Sequence, residues 1–180
     1  YGVSLLDNYK EIYNSRDDKP RFTEKIKQLL SMNNDSLLVL SFNGLNVFSN
    51  NNITPIRFNK IDNLEITNIA IWNKNRILIS TKNNGVFIIN RQFMIVDHLT
   101  KKTGLSSDNC FALYVHNDSV FCLGTNKGLN IITKSIDKYA VRQCNSTNNR
   151  IINQINDIDF IDGNFILATD NGLSVISENV

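Results

Sequence analysis

The sequence contains few side chains that could form a catalytic or metal-binding site. His98 and His116 are its two histidines, and neither has a nucleophile or a metal-binding partner at a recognised spacing. The acidic residues Asp157 and Asp159 are of the type used in general acid–base or cation chemistry. However, they alternate with apolar residues, as exposed positions of a β-strand do. The sequence therefore predicts no catalytic residue, no metal and no cofactor.

The cysteines also favour a structural role over chemistry. Cys110, Cys122 and Cys144 are odd in number and lack the Cys-x-x-Cys or Cys/His spacings of zinc sites. Cys110 and Cys122 lie within apolar runs, where a free cysteine behaves as a small hydrophobic residue. We expect neither a disulfide framework nor a redox site.

Charge and hydropathy argue against nucleic acid and membrane partners. The 19 basic and 17 acidic residues give a net charge of +2, and the densest basic cluster is only Lys101-Lys102. No run approaches the roughly 18 apolar residues that span a bilayer. Tyr1 begins in the middle of a sequence pattern, so we expect the chain to be part of a longer protein.

The strongest signal in the sequence is an internal repeat. Four segments share a strand, a polar turn, a second strand ending near a hydroxyl residue, a glycine and a third strand. The glycines are Gly44, Gly85, Gly128 and Gly172, and Gly2 belongs to an earlier, partial copy. Successive glycines in this series of five are 41 to 44 residues apart. The hydroxyl residues are Ser41, Thr81, Thr125 and Thr169.

These landmarks predict one all-β architecture. A glycine after a short polar stretch suits a tight hairpin, and short, continuously apolar runs such as SLLVLS and RILIST suit strands covered on both faces. A more polar fourth strand follows each third one, and four strands in about 42 residues is the size of a β-propeller blade. A β-sandwich or barrel is the main alternative, but neither requires copies at a fixed period.

We therefore predict an all-β propeller with about four four-stranded blades and little or no helix. The chain, 1–180, is treated as one propeller segment. Its predicted repeats are 1–20 (partial), 21–60, 61–104, 105–148 and 149–180 (partial).

The third copy resembles the two-component regulator propeller repeat. The matching residues are the approach Gly104-Leu105-Ser106-Ser107-Asp108-Asn109, the strand end Leu123-Gly124-Thr125 and the hairpin Gly128-Leu129-Asn130. Cys122 replaces the tryptophan usual before the Gly-Thr pair, and the single tryptophan, Trp72, ends a first strand instead. The specific motif covers about 30 residues, whereas the repeat covers nearly the whole chain.

The resemblance implies a function as well as a fold. Such repeats build the periplasmic sensor of hybrid two-component systems and sensor histidine kinases, and many of these sensors respond to glycan fragments. The implied domain is a non-catalytic part of a larger propeller of about seven blades. It lies outside the cytoplasm, on an inner-membrane protein that can carry a histidine kinase. The alternatives are a protein-interaction propeller of another extracytoplasmic protein and, third, a propeller lyase, which would need an axial histidine cluster.

Candidate ligand-binding residues come from the loops that enter the first strands and from the glycine hairpins. Loops held by a rigid scaffold commonly bind ligands, and the polar residues clustered there are Ser106, Asp108, Asn109 and Lys127. The expected ligand is an oligosaccharide or another small molecule. Because an arc of blades leaves apolar sheet faces uncovered, we also expect self-association or binding to the remaining propeller blades.

Overall fold

A computed structural model gives the fold of the chain. It describes residues 4–7, 10–14, 24–33, 35–50, 52–58, 64–136, 138–144, 146–147, 150–151 and 154–177. The chain divides into two compact units, Tyr1–Asp62 and Asn63–Val180.

The first unit contains a two-stranded ribbon and one four-stranded sheet, which we call blade 1. The antiparallel ribbon consists of β1 (Ser4–Asp7) and β2 (Lys10–Asn14). Blade 1 is a meander of β3 (Ile26–Asn33), β4 (Ser36–Ser41), β5 (Gly44–Ser49) and β6 (Asn52–Pro55). Each strand of the blade pairs only with its neighbours in sequence, so the sheet forms entirely from local hairpins.

The second unit contains three further blades. Blade 2 consists of β7 (Ile66–Asn73), β8 (Arg76–Thr81), β9 (Val86–Asn90) and β10 (Ile95–Leu99). Blade 3 consists of β11 (Cys110–Val115), β12 (Val120–Thr125), β13 (Gly128–Lys134) and β14 (Tyr139–Cys144). Blade 4 has three described strands, β17 (Ile155–Ile161), β18 (Asn164–Thr169) and β19 (Gly172–Ser177).

The connections between these blades differ from one another. A 3-10 turn, Lys101–Thr103, lies between blades 2 and 3 and is the only helical turn in the ranges given above. A short ribbon of β15 (Ser146–Thr147) and β16 (Arg150–Ile151) lies between blades 3 and 4. The repeat did not predict this ribbon, because the connection between blades 2 and 3, which the structure describes completely, contains no counterpart.

The strand positions confirm the predicted all-β class of four-stranded blades. The first strands of the four copies begin at residues 26, 66, 110 and 155, within one residue of the predicted starts. The second strands β8 and β12 are almost completely buried, whereas β18 of blade 4 alternates between buried and more exposed positions. The exact repeat boundaries remain a prediction.

Blade 3 lies between two hydrophobic clusters. One joins it to blade 2 and includes Trp72, Leu78, Phe121, Leu123 and Ile132. The other joins it to blade 4 and includes Cys122, Leu129, Ile158, Phe165 and Leu167. Side chains that alternate along β12 thus enter opposite clusters, as the two-residue period of a strand requires. Burial of these apolar surfaces is the main force that holds the blades together.

Candidate functional site

In every blade, a Ser or Thr hydroxyl at the equivalent position forms hydrogen bonds with the backbone of the glycine hairpin. The hydroxyl accepts a hydrogen bond from a backbone N–H in the turn, and it donates one to the carbonyl oxygen of the glycine. The donated bonds are Ser41 to Gly44 (3.1 Å), Thr81 to Gly85 (2.9 Å), Thr125 to Gly128 (2.9 Å) and Thr169 to Gly172 (2.8 Å). This arrangement explains why a hydroxyl residue lies three or four residues before each glycine.

We expect Thr125→Val to destabilise the protein more than Thr169→Val. Thr125 is completely buried, so the substitution removes the internal bonds of its hydroxyl to the Lys127 N–H and the Gly128 carbonyl. Losing such buried bonds costs about 1–3 kcal/mol. Thr169 is partly exposed, and water can replace its bonds. Urea denaturation of both variants tests this; equal losses of unfolding free energy would contradict it.

In addition to these side-chain bonds, a hydrogen bond between two backbone groups fixes the same end of each blade. The residue after the hydroxyl donates its N–H to the carbonyl oxygen of the residue just before the first strand. The bonded pairs are Phe42 with Lys25 (3.1 Å), Lys82 with Glu65 (3.0 Å), Asn126 with Asn109 (3.2 Å) and Asp170 with Gln154 (3.2 Å). Identical backbone geometry therefore presents a different pair of side chains in each copy.

Within the second unit these pairs lie at a common end of neighbouring blades. The Thr67 hydroxyl, near the start of β7, donates to the carbonyl of Cys110 at the start of β11 (2.7 Å). Ile155, at the start of β17, lies close to Gly124 in β12. A Cβ added to Gly124 would be only 2.7 Å from the Cγ2 of Ile155. The first strands of blades 2, 3 and 4 therefore start at the same level. We call the side-chain pairs at this end the tip pairs.

The tip pairs are polar and mostly exposed. Glu65 and Lys82 form an ion pair at 3.2 Å with both side chains about half exposed. Asn126 is exposed, and Asn109 is partly exposed. In blade 4 the Asn156 amide donates to the Asp170 carboxylate (2.9 Å). Carboxylate, amide and ammonium groups together provide the donors and acceptors that recognise hydroxylated or charged ligands.

Two of the four predicted ligand-binding residues are used in internal hydrogen bonds. Ser106 is buried; its N–H donates to Asn130 Oδ1 (2.9 Å), and its hydroxyl lies 3.0 Å from the Thr125 hydroxyl. Asp108 accepts the Lys101 N–H on Oδ1 (2.7 Å) and the Gly85 N–H on its carbonyl (2.9 Å). A ligand would have to displace these bonds to reach either residue.

The other two predicted residues are better placed for a ligand. Asn109 belongs to the tip pair of blade 3, and Lys127 is exposed in the hairpin beside it. Both residues make hydrogen bonds through their backbone groups: the Asn109 N–H donates to the Ser107 hydroxyl (3.0 Å) and the Lys127 N–H to the Thr125 hydroxyl (3.0 Å). The structure brings all four predicted residues to one end of blade 3, and their role in binding stays a prediction.

Sequence reasoning missed the buried amide that organises this segment. Asn130 is completely buried in β13; its Nδ2 donates to the Ser106 hydroxyl (2.9 Å) and its Oδ1 accepts the Ser106 N–H. It thereby fastens the Gly104–Asn109 approach to blade 3. The available signal was an asparagine inside an apolar strand, which needs internal partners when buried.

The two histidines lie at contacts with aromatic rings. His98 is exposed and stacks on Phe87 with centroids 3.9 Å apart, and its Nε2 is 2.6 Å from the Asn84 carbonyl oxygen. His116 is half-buried, and its ring lies edge-on to Phe160 of blade 4 with centroids 4.7 Å apart. This contact joins blades 3 and 4, and a single repeat does not show which side chains the next blade supplies.

Burial sets the pKa of two further groups in the second unit. Burial raises the pKa of the Cys110 thiol to about 12, with a smaller effect from the nearby Asp108 carboxylate, so the thiol stays protonated and a poor nucleophile. Burial also raises the pKa of Tyr139, and its hydrogen bond to Asp97 Oδ2 (2.7 Å) adds to this shift. That bond links the outer strands of blades 2 and 3.

A cavity of about 350 Å³ lies at the other end of blade 3. Its lining includes Val120, Thr133, Val141 and Arg142, with Phe165 from blade 4. Because Val120 pairs with Thr133, this is the end opposite the Thr125–Gly128 hairpin. The cavity thus contains none of the predicted binding residues.

Two features are absent from the residues that the structure describes. Among them, no three His, Cys, Asp or Glu side chains are grouped so that they could hold a metal ion. No helix in these ranges has the length and apolar character needed to cross a bilayer.

Known structures with the same arrangement of blades identify the fold. The extracellular domain of the putative hybrid two component system BT3049 from B. thetaiotaomicron is similar over 97% of this chain, with a TM-score of 0.73 and 19% identity. The WD40 beta propeller domain of Doa1 is similar over 96% of this chain, with a TM-score of 0.67 and 11% identity. The chain has the β-propeller fold.

A third similar structure is PorZ, a surface component of the type-IX secretion system of Porphyromonas gingivalis, with a TM-score of 0.61, 18% identity and 98% of this chain covered. This propeller chain spans 24% of the BT3049 domain, 55% of the Doa1 domain and 22% of PorZ. No protein-family model and no curated protein matches the sequence. The predicted β-propeller class is thereby confirmed, and the likenesses show the fold alone.

Proposed function

We propose that the chain is a ligand-sensing propeller domain of an extracytoplasmic two-component signalling protein, and that it is not itself catalytic. The observation that carries the proposal is the constant backbone beneath the variable tip pairs. Each blade repeats the same two hydrogen bonds at that end, while the displayed side chains change from copy to copy. A rigid scaffold with variable polar residues is the usual construction of a recognition surface.

The similarity to known structures supports the signalling context and the location. The BT3049 structure is the extracellular domain of a putative hybrid two component system, and PorZ is a bacterial surface component. The two-component repeat motif in the third copy agrees with the first of these. Signal transfer would need a ligand with different affinities for two arrangements of the propeller, because only a differential affinity shifts a conformational equilibrium.

Thermal melting with a panel of neutral, acidic and amino-sugar oligosaccharides tests the sensing function. We expect at least one of them to raise the melting temperature in a saturable way, because a ligand that binds the native state alone stabilises it. Lys127→Ala and Asn109→Ala should weaken that binding. Lys138→Ala is the matched control: it is also exposed and on blade 3, but it lies near Tyr139 at the opposite end of the sheet.

Three outcomes would count against parts of this proposal. A panel without any saturable shift contradicts sensing of such ligands. Binding that survives Lys127→Ala and Asn109→Ala contradicts the proposed site. Release of a cleaved or unsaturated sugar during incubation contradicts the non-catalytic assignment and favours a lyase.

A protein-binding propeller is the second candidate function, and one observation favours it. Blade 4 exposes large apolar side chains, with Leu173 72% and Val175 54% exposed. Apolar side chains exposed together on one sheet face often mark an interaction surface. Oligosaccharide binding at the tip pairs distinguishes the two candidates, because a purely protein-binding domain would show none.

A further inference from the structure

We propose that Asn171, in the glycine hairpin of blade 4, is a site of spontaneous deamidation, and that Asn84, its counterpart in blade 2, is protected from the same reaction by its neighbours. The inference is independent of the proposed sensing function. It rests on the dipeptide Asn-Gly, which occurs in three of the four glycine hairpins, as Asn43-Gly44, Asn84-Gly85 and Asn171-Gly172. Blade 3 has Lys127 in place of the asparagine.

The reaction needs only the asparagine, the peptide nitrogen that follows it, and water. The glycine nitrogen, after losing its proton, attacks the side-chain carbonyl carbon of the asparagine. A new C–N bond forms, and the side-chain nitrogen takes up a proton and leaves as ammonia. Water then opens the cyclic succinimide at either of its carbonyl carbons, which gives aspartate or isoaspartate. Glycine in the second position favours the attack, because it has no side chain to crowd the ring and its backbone is conformationally free.

In blade 2, both polar groups of the reacting peptide are held in place. The Gly85 N–H donates to the Asp108 carbonyl (2.9 Å), and the Asn84 carbonyl oxygen lies 2.6 Å from His98 Nε2. Gly85 is also buried, and a Cβ added to it would lie 2.1 Å from the Leu99 carbonyl oxygen. The peptide can therefore turn toward the Asn84 side chain only after these contacts open, and one of them joins blade 2 to the approach to blade 3.

In blade 4, the equivalent peptide lies in an open hairpin. Asn171 and Gly172 are both exposed, and no atom of the described residues lies within 4 Å of a Cβ added to Gly172. Gly172 pairs with Thr169, and the Asn171 N–H donates to the Thr169 hydroxyl (3.2 Å), so these contacts lie within one short hairpin. Opening a hairpin tip costs less free energy than separating two packed segments. The Gly172 nitrogen can thus reach the Asn171 side chain.

Asn43 in blade 1 resembles Asn171 more than Asn84. Asn43 is exposed, Gly44 is partly exposed, and the described residues place no atom within 4 Å of a Cβ added to Gly44. The Asn43 N–H donates to the hydroxyl of Ser41 in the same hairpin (3.3 Å). We therefore expect Asn43 to react as well, and Asn84 to be the slowest of the three.

The reaction would change the tip of blade 4. Asp170 accepts the Asn156 amide there (2.9 Å), and each conversion of Asn171 adds a second carboxylate beside it. The isoaspartate product also lengthens the main chain of the hairpin by one atom. Because the turn sets the register of the two strands that it joins, this product should disturb the pairing of β18 with β19.

Peptide mass spectrometry measures the conversion of each asparagine. The folded protein is incubated in mildly alkaline buffer, and samples taken at intervals are digested at acidic pH, where the attacking nitrogen keeps its proton. We expect Asn171 to deamidate about tenfold faster than Asn84, since the Asn84 peptide must first lose the hydrogen bonds that hold it. In concentrated urea the three asparagines should react at similar rates, because each is then followed by an equally free glycine.

Two variants test the structural reasons for this order. His98→Phe keeps an aromatic ring to stack on Phe87 but removes the nitrogen that contacts the Asn84 carbonyl. It should speed the reaction at Asn84 and leave the rate at Asn171 unchanged. Gly172→Ala should slow the reaction at Asn171 alone, because the added methyl group crowds the ring. Circular dichroism checks that both variants retain their β-structure, and His98→Tyr replaces His98→Phe if that variant does not.

Three results would overturn the proposal or one of its parts. Equal rates at Asn84 and Asn171 in the folded protein overturn the protection of blade 2. An Asn171 that stays intact in the folded protein and reacts in urea overturns the proposed site, because the hairpin of blade 4 is then held too firmly. An unchanged rate at Asn84 in the His98→Phe variant overturns the role assigned to His98.

Discussion

Replacing Gly85 with alanine is expected to lower the free energy of unfolding by about 2–4 kcal/mol, from left-handed strain and a forced backbone shift. Gly85 has a φ of +67°, and an added Cβ would lie 2.1 Å from the Leu99 carbonyl oxygen. Leu99 O belongs to the backbone, so it cannot rotate away as a side chain would. The same movement would disturb the bond from the Gly85 N–H to the Asp108 carbonyl. Urea denaturation followed by the fluorescence of Trp72 measures the loss.

Gly172→Ala is the matched control for this substitution. Gly172 occupies the same hairpin position in blade 4, with a φ of +104° and no atom within 4 Å of the added Cβ. We expect a loss of about 1 kcal/mol, from the conformational cost alone. If both alanine variants lose the same stability, the close approach of Gly85 to the Leu99 carbonyl within blade 2 contributes nothing to the loss.

Replacing Phe121 with alanine is expected to cost about 3–5 kcal/mol, the usual range for deleting a buried aromatic ring. Phe121 is completely buried, and its ring meets Trp72 of blade 2 edge-on with centroids 4.9 Å apart. The substitution leaves a cavity between blades 2 and 3 and removes an aromatic contact. The measurement is urea denaturation, with the emission wavelength of Trp72 as a report on the same interface.

Met94→Ala serves as the control for the Phe121 variant. Met94 is also a large apolar side chain in the second unit, but it is 58% exposed. Its replacement should change the unfolding free energy by less than about 0.5 kcal/mol. Similar losses in the two variants would mean that the contact between blades 2 and 3 contributes little to stability.

The features that the sequence predicted well are those that depend on nearby residues. Gly85, Gly128 and their hydroxyl partners could be placed because a hairpin needs its turn chemistry within a few residues. The strand order followed from the same hairpins, since each strand pairs with the next one along the chain. Comparison of the four copies then separated constant positions from variable ones.

Contacts between blades were harder to predict because they join residues that are distant in the sequence. Trp72 departs from the usual tryptophan position of the resembling repeat, yet its Nε1 donates to the Asn117 carbonyl of blade 3 (3.2 Å) and its ring packs on Phe121. It anchors the contact between blades 2 and 3, whereas Cys122 enters the contact between blades 3 and 4. Nothing in a single copy indicates which interface a side chain enters.

The candidate site was predictable in position but not in detail. Polar residues of the approach to blade 3 were correctly placed near the glycine hairpin. The sequence could not show that Ser106 is buried and bonded to Asn130, 24 residues further along the chain. Exposure of a polar side chain depends on whether the folded chain offers it a partner, and that partner here comes from the third strand of the blade.

The local pairing of the strands also determines how this protein acquires its structure. Because each sheet closes through short hairpins, little loop entropy is lost before its first contacts form, which favours rapid formation of individual blades. A blade gains most of its stability only when a neighbour covers it, as in other repeat proteins. Within the second unit, blade 3 is covered on both sides. Its backbone amides should therefore be the last of that unit to exchange with deuterated solvent, and those of β19 among the first.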